Sequence, residues 1–520
     1  MSTGPRRYLP ALVGALFVVV PLLAQQPLPE PPVWNAAKIR STPFVIAPGT
    51  TTINGNTMTS NLYNGMFTPP LFRLAPGETV DLLVDNRMVN PAAPPAGASG
   101  KGAPPMLKLS RPETRWEFFG VETPAKAAQI KQSMAMKMHV APFYTNVHYH
   151  GFGVSPNGNA DNVFITITPG QKFQYKVPIP ADHPPGLFWY HPHPHELSEA
   201  QVLGGMAGPI IIDGIERERP FLAGMRQRVM VLKDPIFGST QLFTINGTSG
   251  TATIDIKPGE QQFWRIGNMG ADAYFPLTLD GLQFLVVAID GNLLQSPTPM
   301  TELDLAPGSR YEVVVTGPRA GQKVAFKKLA SVFYDDGKNK FSYPEATLAT
   351  LVSAGTAVPS AQKTAMSSAT RPDIEEIRRA KVARTCKWTF SEKADFSEYY
   401  VNNKLYDVNR IDNQVKLGTY EEWTVVNDSY ELHAFHLHQT DFLVTQIDGK
   451  PVHLNHTNDV VNIPFKDAAG VHSVTVKIPF VNPIIEGKFV FHCHVLLHED
   501  RGMMANVLVA KESRPNSACK

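Results

Sequence analysis

Three cysteines in a chain of 520 residues cannot build a disulfide framework. They are Cys386, Cys493 and Cys519. Cys493 lies between two histidines and is reserved for a metal. That leaves Cys386 and Cys519 as a candidate disulfide near the two ends of the last domain. An excess of one charge is also missing. The formal net charge is +2, which points to no nucleic acid and no acidic membrane surface as partner. Long apolar runs are missing too. Leu9 to Leu23 is mostly apolar, but it is short and is interrupted by Pro10 and Pro21, so it does not read as a membrane span. With Arg6 and Arg7 before it and Ala24 after it, residues 1–24 read as an export signal. Arg6-Arg7-Tyr8-Leu9 is similar to a twin-arginine start, although Pro10 follows at once. After signal removal no membrane segment remains, and the mature chain is expected in the periplasm or outside the cell.

What is abundant is turn chemistry. The 45 prolines and 38 glycines favour a β-rich chain over a helical one. The length suits three domains of about 150 residues each. A phrase recurs at the matching interval. Ala75-Pro-Gly-Glu-Thr-Val-Asp-Leu-Leu-Val-Asp-Asn86 is a turn, a strand-like run and an Asn. Lys257 to Asn268 repeats it, and Lys416 to Asn427 repeats it more loosely. A second phrase follows the first two copies, Thr168 to Val177 and Ala306 to Val315, with a weaker third at Val471 to Pro479. A spacing of roughly 160 to 180 residues means repeated domains and not a solenoid. Each copy predicts an antiparallel Greek-key sandwich. The expected fold is therefore all-β, three consecutive β-sandwich domains over 35–214, 215–360 and 384–520. Residues 91–137 start with a Pro/Ala/Gly-rich stretch and predict a surface insertion in the first domain. Residues 353–383 turn from Ala/Ser/Thr-rich to charged. The linker is placed at 361–383, with one short helix around Asp373 to Val382.

Histidine is absent where the chain is longest without it. Of 16 histidines, none lies between 196 and 432. Those before lie between His139 and His195, and those after between His433 and His498. A site shared by the first and third domains, with the second as spacer, empties the middle in this way. Four clusters stand out: His148-Tyr-His150, His191-Pro-His193, His433-Ala-Phe-His436-Leu-His438, and His492-Cys-His494-Val-Leu-Leu-His498 followed by Met503. In a strand, residues i and i+2 share a face. Each His-x-His pair thus offers two imidazoles to one side. Neutral imidazole suits copper, zinc or iron.

Strand parity separates a second set. Cys493 points away from His492 and His494. His433, offset by three from His436, is free to face away from His436 and His438. Cys493, His433, His498 and Met503 make two imidazoles, a thiolate and a thioether, the ligand set of a blue-copper electron-transfer centre with a weak axial Met. Zinc is the main rival, but one site of four ligands explains neither the remaining imidazoles nor the Met.

These four motifs, in this order, resemble the copper-binding motifs of the multicopper oxidases, and the similarity runs over nearly the whole mature chain. The resemblance implies cupredoxin-like domains and four copper ions. It implies that His148 and His436 hold a type 2 copper, that His150, His191 and His494 hold one type 3 copper, and that His193, His438 and His492 hold the other. It implies type 1 copper on His433, Cys493 and His498, with Met503 axial. His195 is an extra histidine beside the second motif and is expected at the surface.

The implied reaction takes single electrons from a reductant and reduces O2 to water. Protons must then be supplied beside the cluster. Asp161 resembles the family's acid near the type 2 copper, and Glu499 resembles the acid on another proton path; both are expected to act beside the ligands. Phenols or aromatic amines as reductant make a laccase, the first choice. Cu(I) makes a cuprous oxidase. Met134, Met136 and Met138 lie at period two, and thioethers select Cu(I). Copper nitrite reductase and a non-catalytic copper or electron carrier are the other classes; neither needs four paired-His motifs.

Overall fold

The computed structural model of the chain describes residues 25–88, 143–359, 372–514 and 516–519. Its main strands form three successive two-sheet sandwiches. The first packs a four-stranded sheet on a five-stranded one, the second uses two six-stranded sheets, and the third sets a six-stranded sheet on a five-stranded one.

The recurring phrase is the middle of each sandwich. Its strands are Thr79–Asn86, Gln261–Asn268 and Thr419–Asn427. Each pairs in parallel with an early strand of its domain: Phe44–Ile53, Arg226–Lys233 or Val382–Glu392. On its other side each pairs antiparallel with the strand of the second phrase: Lys172–Pro178, Arg310–Thr316 or His472–Phe480. Parallel neighbours cannot be joined by a hairpin, so the chain must cross between sheets in each domain.

The side chains of the phrase explain why it recurs. Glu78 Oε2 accepts from the Ala75 amide at 2.7 Å, and Glu260 Oε2 accepts from the Lys257 amide at 2.7 Å, closing the turn that feeds the strand. Gly77 and Gly259 take that turn at φ +87 and +75, where a Cβ is strained. The closing Asn does the same work three times. The Nδ2 groups of Asn86, Asn268 and Asn427 each donate to carbonyls of neighbouring loops. Their Oδ1 atoms each accept the amide two residues on. Buried loop groups that water would otherwise satisfy are held this way.

Several boundaries differ from the sequence reading. Gln26–Pro27 pairs with Ala252–Thr253 and Leu28 joins the core of the second sandwich, so residues 26–28 pack there before the chain enters the first. The first sandwich opens at Val33–Asn35, paired with Leu71–Arg73. The linker helix spans Pro372–Arg379, and Val382 already begins a strand of the third sandwich, because its Val, Thr and Trp side chains are strand formers. Cys386 and Cys519 form a disulfide that ties this strand to the C-terminus across 133 residues, a long loop to close in the unfolded chain. The 1–24 signal, the 91–137 insertion and Met134, Met136 and Met138 lie outside the described residues.

Two strands position the site. His148–His150 is the edge strand of the five-stranded sheet in the first sandwich, paired with Gly186–His191. In the third sandwich His433–Leu437 runs between Val460–Ile463 and Gly487–Cys493. An apolar cluster holds the three units in register. It contains Leu71 and Trp189 from the first, Val229 and Met269 from the second, and Leu496 from the third.

Candidate metal centre

The register sorts the histidine side chains. His148 faces His191 across their pair, and His436 faces His492. Phe435 faces Cys493. Alternation then puts His433 and Cys493 on one face of the sheet and His436 and His492 on the other. Two clusters result, on opposite sides of one strand.

In the larger cluster the imidazoles of His148, His150, His191, His193, His436, His438, His492 and His494 converge, all buried. His492 Nε2 lies 3.2 Å from His193 Nε2 and 3.1 Å from His438 Nε2. His494 Nε2 lies 3.2 Å from His150 Nδ1. The outward nitrogens are anchored. His148 Nδ1 meets Asp161 Oδ1 at 2.9 Å, His436 Nδ1 meets the Asp459 carbonyl at 2.7 Å, His191 Nδ1 meets the Pro192 carbonyl at 3.0 Å, and His492 Nδ1 meets the Cys493 carbonyl at 3.0 Å. An oxygen at Nδ1 fixes the N–H there and leaves a lone pair on Nε2. The Nε2 atoms of His148, His191 and His436 have no hydrogen-bond partner and are buried. Burial, then the neighbouring imidazoles, holds His148, His191 and His436 well below the usual histidine range, and burial brings His492 down to about 3. Neutral rings with inward lone pairs and no proton to share are unstable unless a cation sits among them. The residues fit a metal cluster.

The smaller cluster is built by a fold-back. After Cys493 the short helix Leu496–Asp500 returns His498 to its side. Cys493 Sγ lies 3.4 Å from His433 Nδ1 and 3.5 Å from His498 Nδ1, and the two nitrogens are 3.0 Å apart. The far nitrogens are held too. Ser429 Oγ lies 2.8 Å from His433 Nε2, and Glu431 Oε2 lies 3.2 Å from His498 Nε2. Tyr399 stacks on His498 with ring centroids 4.3 Å apart and donates to Glu431 Oε2 at 2.7 Å. Met503 is fully buried, and its carbonyl accepts from the Cys493 amide at 3.1 Å. Burial pushes the Cys493 thiol far above its usual value, so a thiolate here requires a bound cation. A thiolate with two imidazoles suits copper.

Both predicted acids are buried against the larger cluster and are not surface carboxylates. Asp161 Oδ1 also accepts from the Tyr149 amide at 3.0 Å, and Oδ2 accepts from Gln439 Nε2 at 2.9 Å. Glu499 Oε1 accepts from Ser198 Oγ at 2.9 Å, and Oε2 lies 3.2 Å from His492 Nδ1. Burial raises each to about 8. His195, expected at the surface, is half-buried edge-on to Tyr406 at 4.7 Å. Its Pro-rich run turns it away from the cluster and under the third sandwich.

Sequence reasoning missed Gln439, Ser198, Glu431 and Asp459. Gln439 follows His438 directly and Glu431 precedes His433 by two residues, so proximity was a usable signal. Ser198 and Asp459 reach the cluster through tertiary contacts, and no local motif marks them.

Three family models, each described as multicopper oxidase, match residues 133–217, 223–355 and 370–513. The chain belongs to the multicopper oxidase family. It is an oxidoreductase, its cofactor is copper, and enzymes of this family couple a reductant to O2. Among curated relatives, "Multicopper oxidase mco" of Staphylococcus haemolyticus is 26% identical over 389 residues, covering 70% of this chain and 76% of the relative. A laccase of Bacillus subtilis is 25% identical over 422 residues, covering 69% and 78%. A solved structure titled as a multicopper oxidase from Campylobacter jejuni, a metallo-oxidase, shares the fold at TM-score 0.67 and 21% identity, over 94% of this chain and 98% of that one. Its cupredoxin-like domains agree with the three sandwiches described above. Among the described residues no helix is long and apolar enough to cross a membrane.

Copper depletion is expected to destabilise this multicopper oxidase, since it leaves the buried imidazole nitrogens unpartnered. At free copper about a thousandfold above its dissociation constant, the loaded protein gains about 4 kcal/mol over the depleted one. Thermal melts of the two forms check this; coincident melts contradict a metal held by these rings.

Proposed function

We propose that this multicopper oxidase removes single electrons from phenols or aromatic amines and passes them to O2, reducing it to water. The observation that carries the reading is the position of Cys493. Its sulfur belongs to the smaller cluster, while the residues bonded to it on either side, His492 and His494, belong to the larger one. A single-electron port is wired by a few covalent bonds to a many-ligand site.

The ligand sets are those the motifs imply. His433, Cys493 and His498, with Met503, would hold a type 1 copper. His148 and His436 hold a type 2 copper. His150, His191 and His494 hold one type 3 copper, and His193, His438 and His492 the other, giving four ions. Copper supplies reversible one-electron storage and an O2-binding site. The chain does the rest. Asp459, Pro192 and the Cys493 carbonyl fix the tautomers. Asp161 would relay a proton beside His148 through Oδ2, which accepts from Gln439 Nε2, while its Oδ1 is held by His148 Nδ1 and the Tyr149 amide. Glu499 would relay a proton beside the cluster through Oε2, which has no hydrogen-bond partner, while its Oε1 accepts from Ser198 Oγ. Burial disfavours both anions, so each carboxyl takes up a proton more readily than an exposed one.

A second reading, oxidation of Cu(I), rests on Glu431 beside His498 and on the period-two methionines 134, 136 and 138. Export to the periplasm or beyond is supported by the apolar start of the chain and by the Cys386–Cys519 disulfide, which suits an oxidising compartment. Oxygen uptake by the copper-loaded protein, with a phenol and with Cu(I) as alternative reductants, decides between the two. The phenol is expected to support the faster uptake. Uptake with Cu(I) alone reassigns the reductant, and uptake with neither ends the oxidase reading.

A further inference from the structure

The second sandwich holds none of the proposed ligands, yet one of its side chains reaches the imidazole cluster. Arg310 stands at the start of the strand Arg310–Thr316 and is completely buried. Its Nη1 donates to Asp459 Oδ1 at 2.6 Å and its Nη2 to Asp459 Oδ2 at 2.7 Å. Asp459 belongs to the third sandwich and touches two rings of the cluster. Its carbonyl takes His436 Nδ1 at 2.7 Å and its Oδ1 lies 3.2 Å from His150 Nε2. His150 belongs to the first sandwich. Arg310 Nε also donates to the Leu187 carbonyl of the first sandwich at 3.2 Å. One guanidinium therefore grips all three units at the point where two of the converging rings are aimed.

The surroundings are shaped for it. Asp290 Oδ1 accepts from the Arg310 amide at 2.9 Å, and Asp290 Oδ2 accepts from Asn458 Nδ2, next to Asp459, at 3.1 Å. Gly151 follows His150 directly at φ +86. A Cβ there would lie 2.6 Å from Arg310 Nη2 and 2.7 Å from Asp459 Oδ2. Gly308, whose carbonyl accepts from Arg310 Nη1 at 3.2 Å, has no room for a Cβ without pressing on His494 at 3.0 Å. The grouping of His150, His436 and Asp459 is close enough to hold a cation by itself. However, both Asp459 oxygens are already taken by the two-pronged guanidinium, so Asp459 orients ligands and is not one.

We propose that Arg310 is a positioning residue of the imidazole cluster: through Asp459 it fixes the ring orientation of His150 and His436, so the middle sandwich sets copper retention at a site to which it gives no ligand. This rests on the copper reading above. Outer partners of metal ligands typically change metal affinity about 10- to 100-fold when removed. Only the cluster should feel this, because none of the contacts of Arg310 or Asp459 reaches His433, Cys493 or His498.

Two variants test it. Arg310→Lys keeps the charge and loses the fork. Arg310→Met with Asp459→Asn removes both charges, so that neither is left buried alone, while the amide oxygen that replaces the carboxylate can still accept from His150. Each is loaded with copper and dialysed against graded chelator. Total copper, the electron paramagnetic resonance of the non-blue copper and the blue absorption are followed together. The expected result is a folded, blue protein that loses its non-blue copper at about 10- to 100-fold lower chelator concentration, with altered hyperfine splitting of that copper. Wild-type retention and splitting in the double variant overturn the proposal, as does a blue band that fades in step with the non-blue copper, which is the mark of general loosening. If Arg310→Lys does not fold, the double variant decides alone. A wild-type protein that takes up no copper overturns the copper reading itself and is told apart by its lack of any blue band.

Discussion

On the proposed reading, Cys493→Ser is expected to abolish the blue absorption and reduce phenol oxidation to background, with copper retained on the imidazole cluster. The thiolate is the one soft anionic ligand of the smaller cluster, and its sulfur contacts both His433 and His498 at 3.4 and 3.5 Å. A serine hydroxyl at this fully buried position neither ionises nor supplies the sulfur–copper bond that gives blue centres their colour. The imidazoles of His492 and His494 are untouched, since they point to the other face of the strand. The visible spectrum, copper content and steady-state rate read the three parts separately. A variant that stays blue, or turns over phenol at an appreciable fraction of the native rate, places electron entry elsewhere.

Asp161→Asn separates the two halves of the reaction. Asparagine keeps the acceptor that holds His148 Nδ1 and the Tyr149 amide, so the ring orientation survives. It cannot carry a proton. Positioned acid–base groups contribute typically about 100-fold or more, so O2 consumption falls by at least about that factor. The blue band and its anaerobic bleaching by phenol keep their native strength and rate. Unchanged turnover removes Asp161 from the proton supply. Slower anaerobic bleaching shows that the substitution disturbed electron entry instead.

The fold was legible because its defining feature is local and repeated. The turn glycine and the Asn that ties the loops lie within one short phrase in all three sandwiches, and the Glu that closes the turn recurs in the first two, with Thr419 at its place in the third. The division of the histidines between two clusters was legible because alternation along a strand is strict. Cys493 had to oppose its neighbours, and His433 had to leave the face of His436. Crossing strands were less so. Gln26 and Pro27 join the second sandwich by a parallel pairing that no nearby residue announces. His195 sits under Tyr406, and that contact joins parts of the chain about two hundred residues apart. The deepest miss was the middle domain. Its lack of histidine suggested a spacer, whereas Arg310 binds the anchor of two rings. Histidine spacing finds ligands and says nothing about what orients them.

One measurement bears most directly on a copper port wired to an O2-reducing cluster. The copper-loaded protein is mixed anaerobically with just enough phenol to bleach its blue band, and a known amount of O2, in excess of what the stored electrons can reduce, is then admitted. The band is expected to bleach without O2 and to return on its addition, with four phenol equivalents consumed for each O2 reduced and no peroxide released. A band that bleaches and stays bleached in O2 contradicts the account, because electrons then enter at Cys493 and go no further.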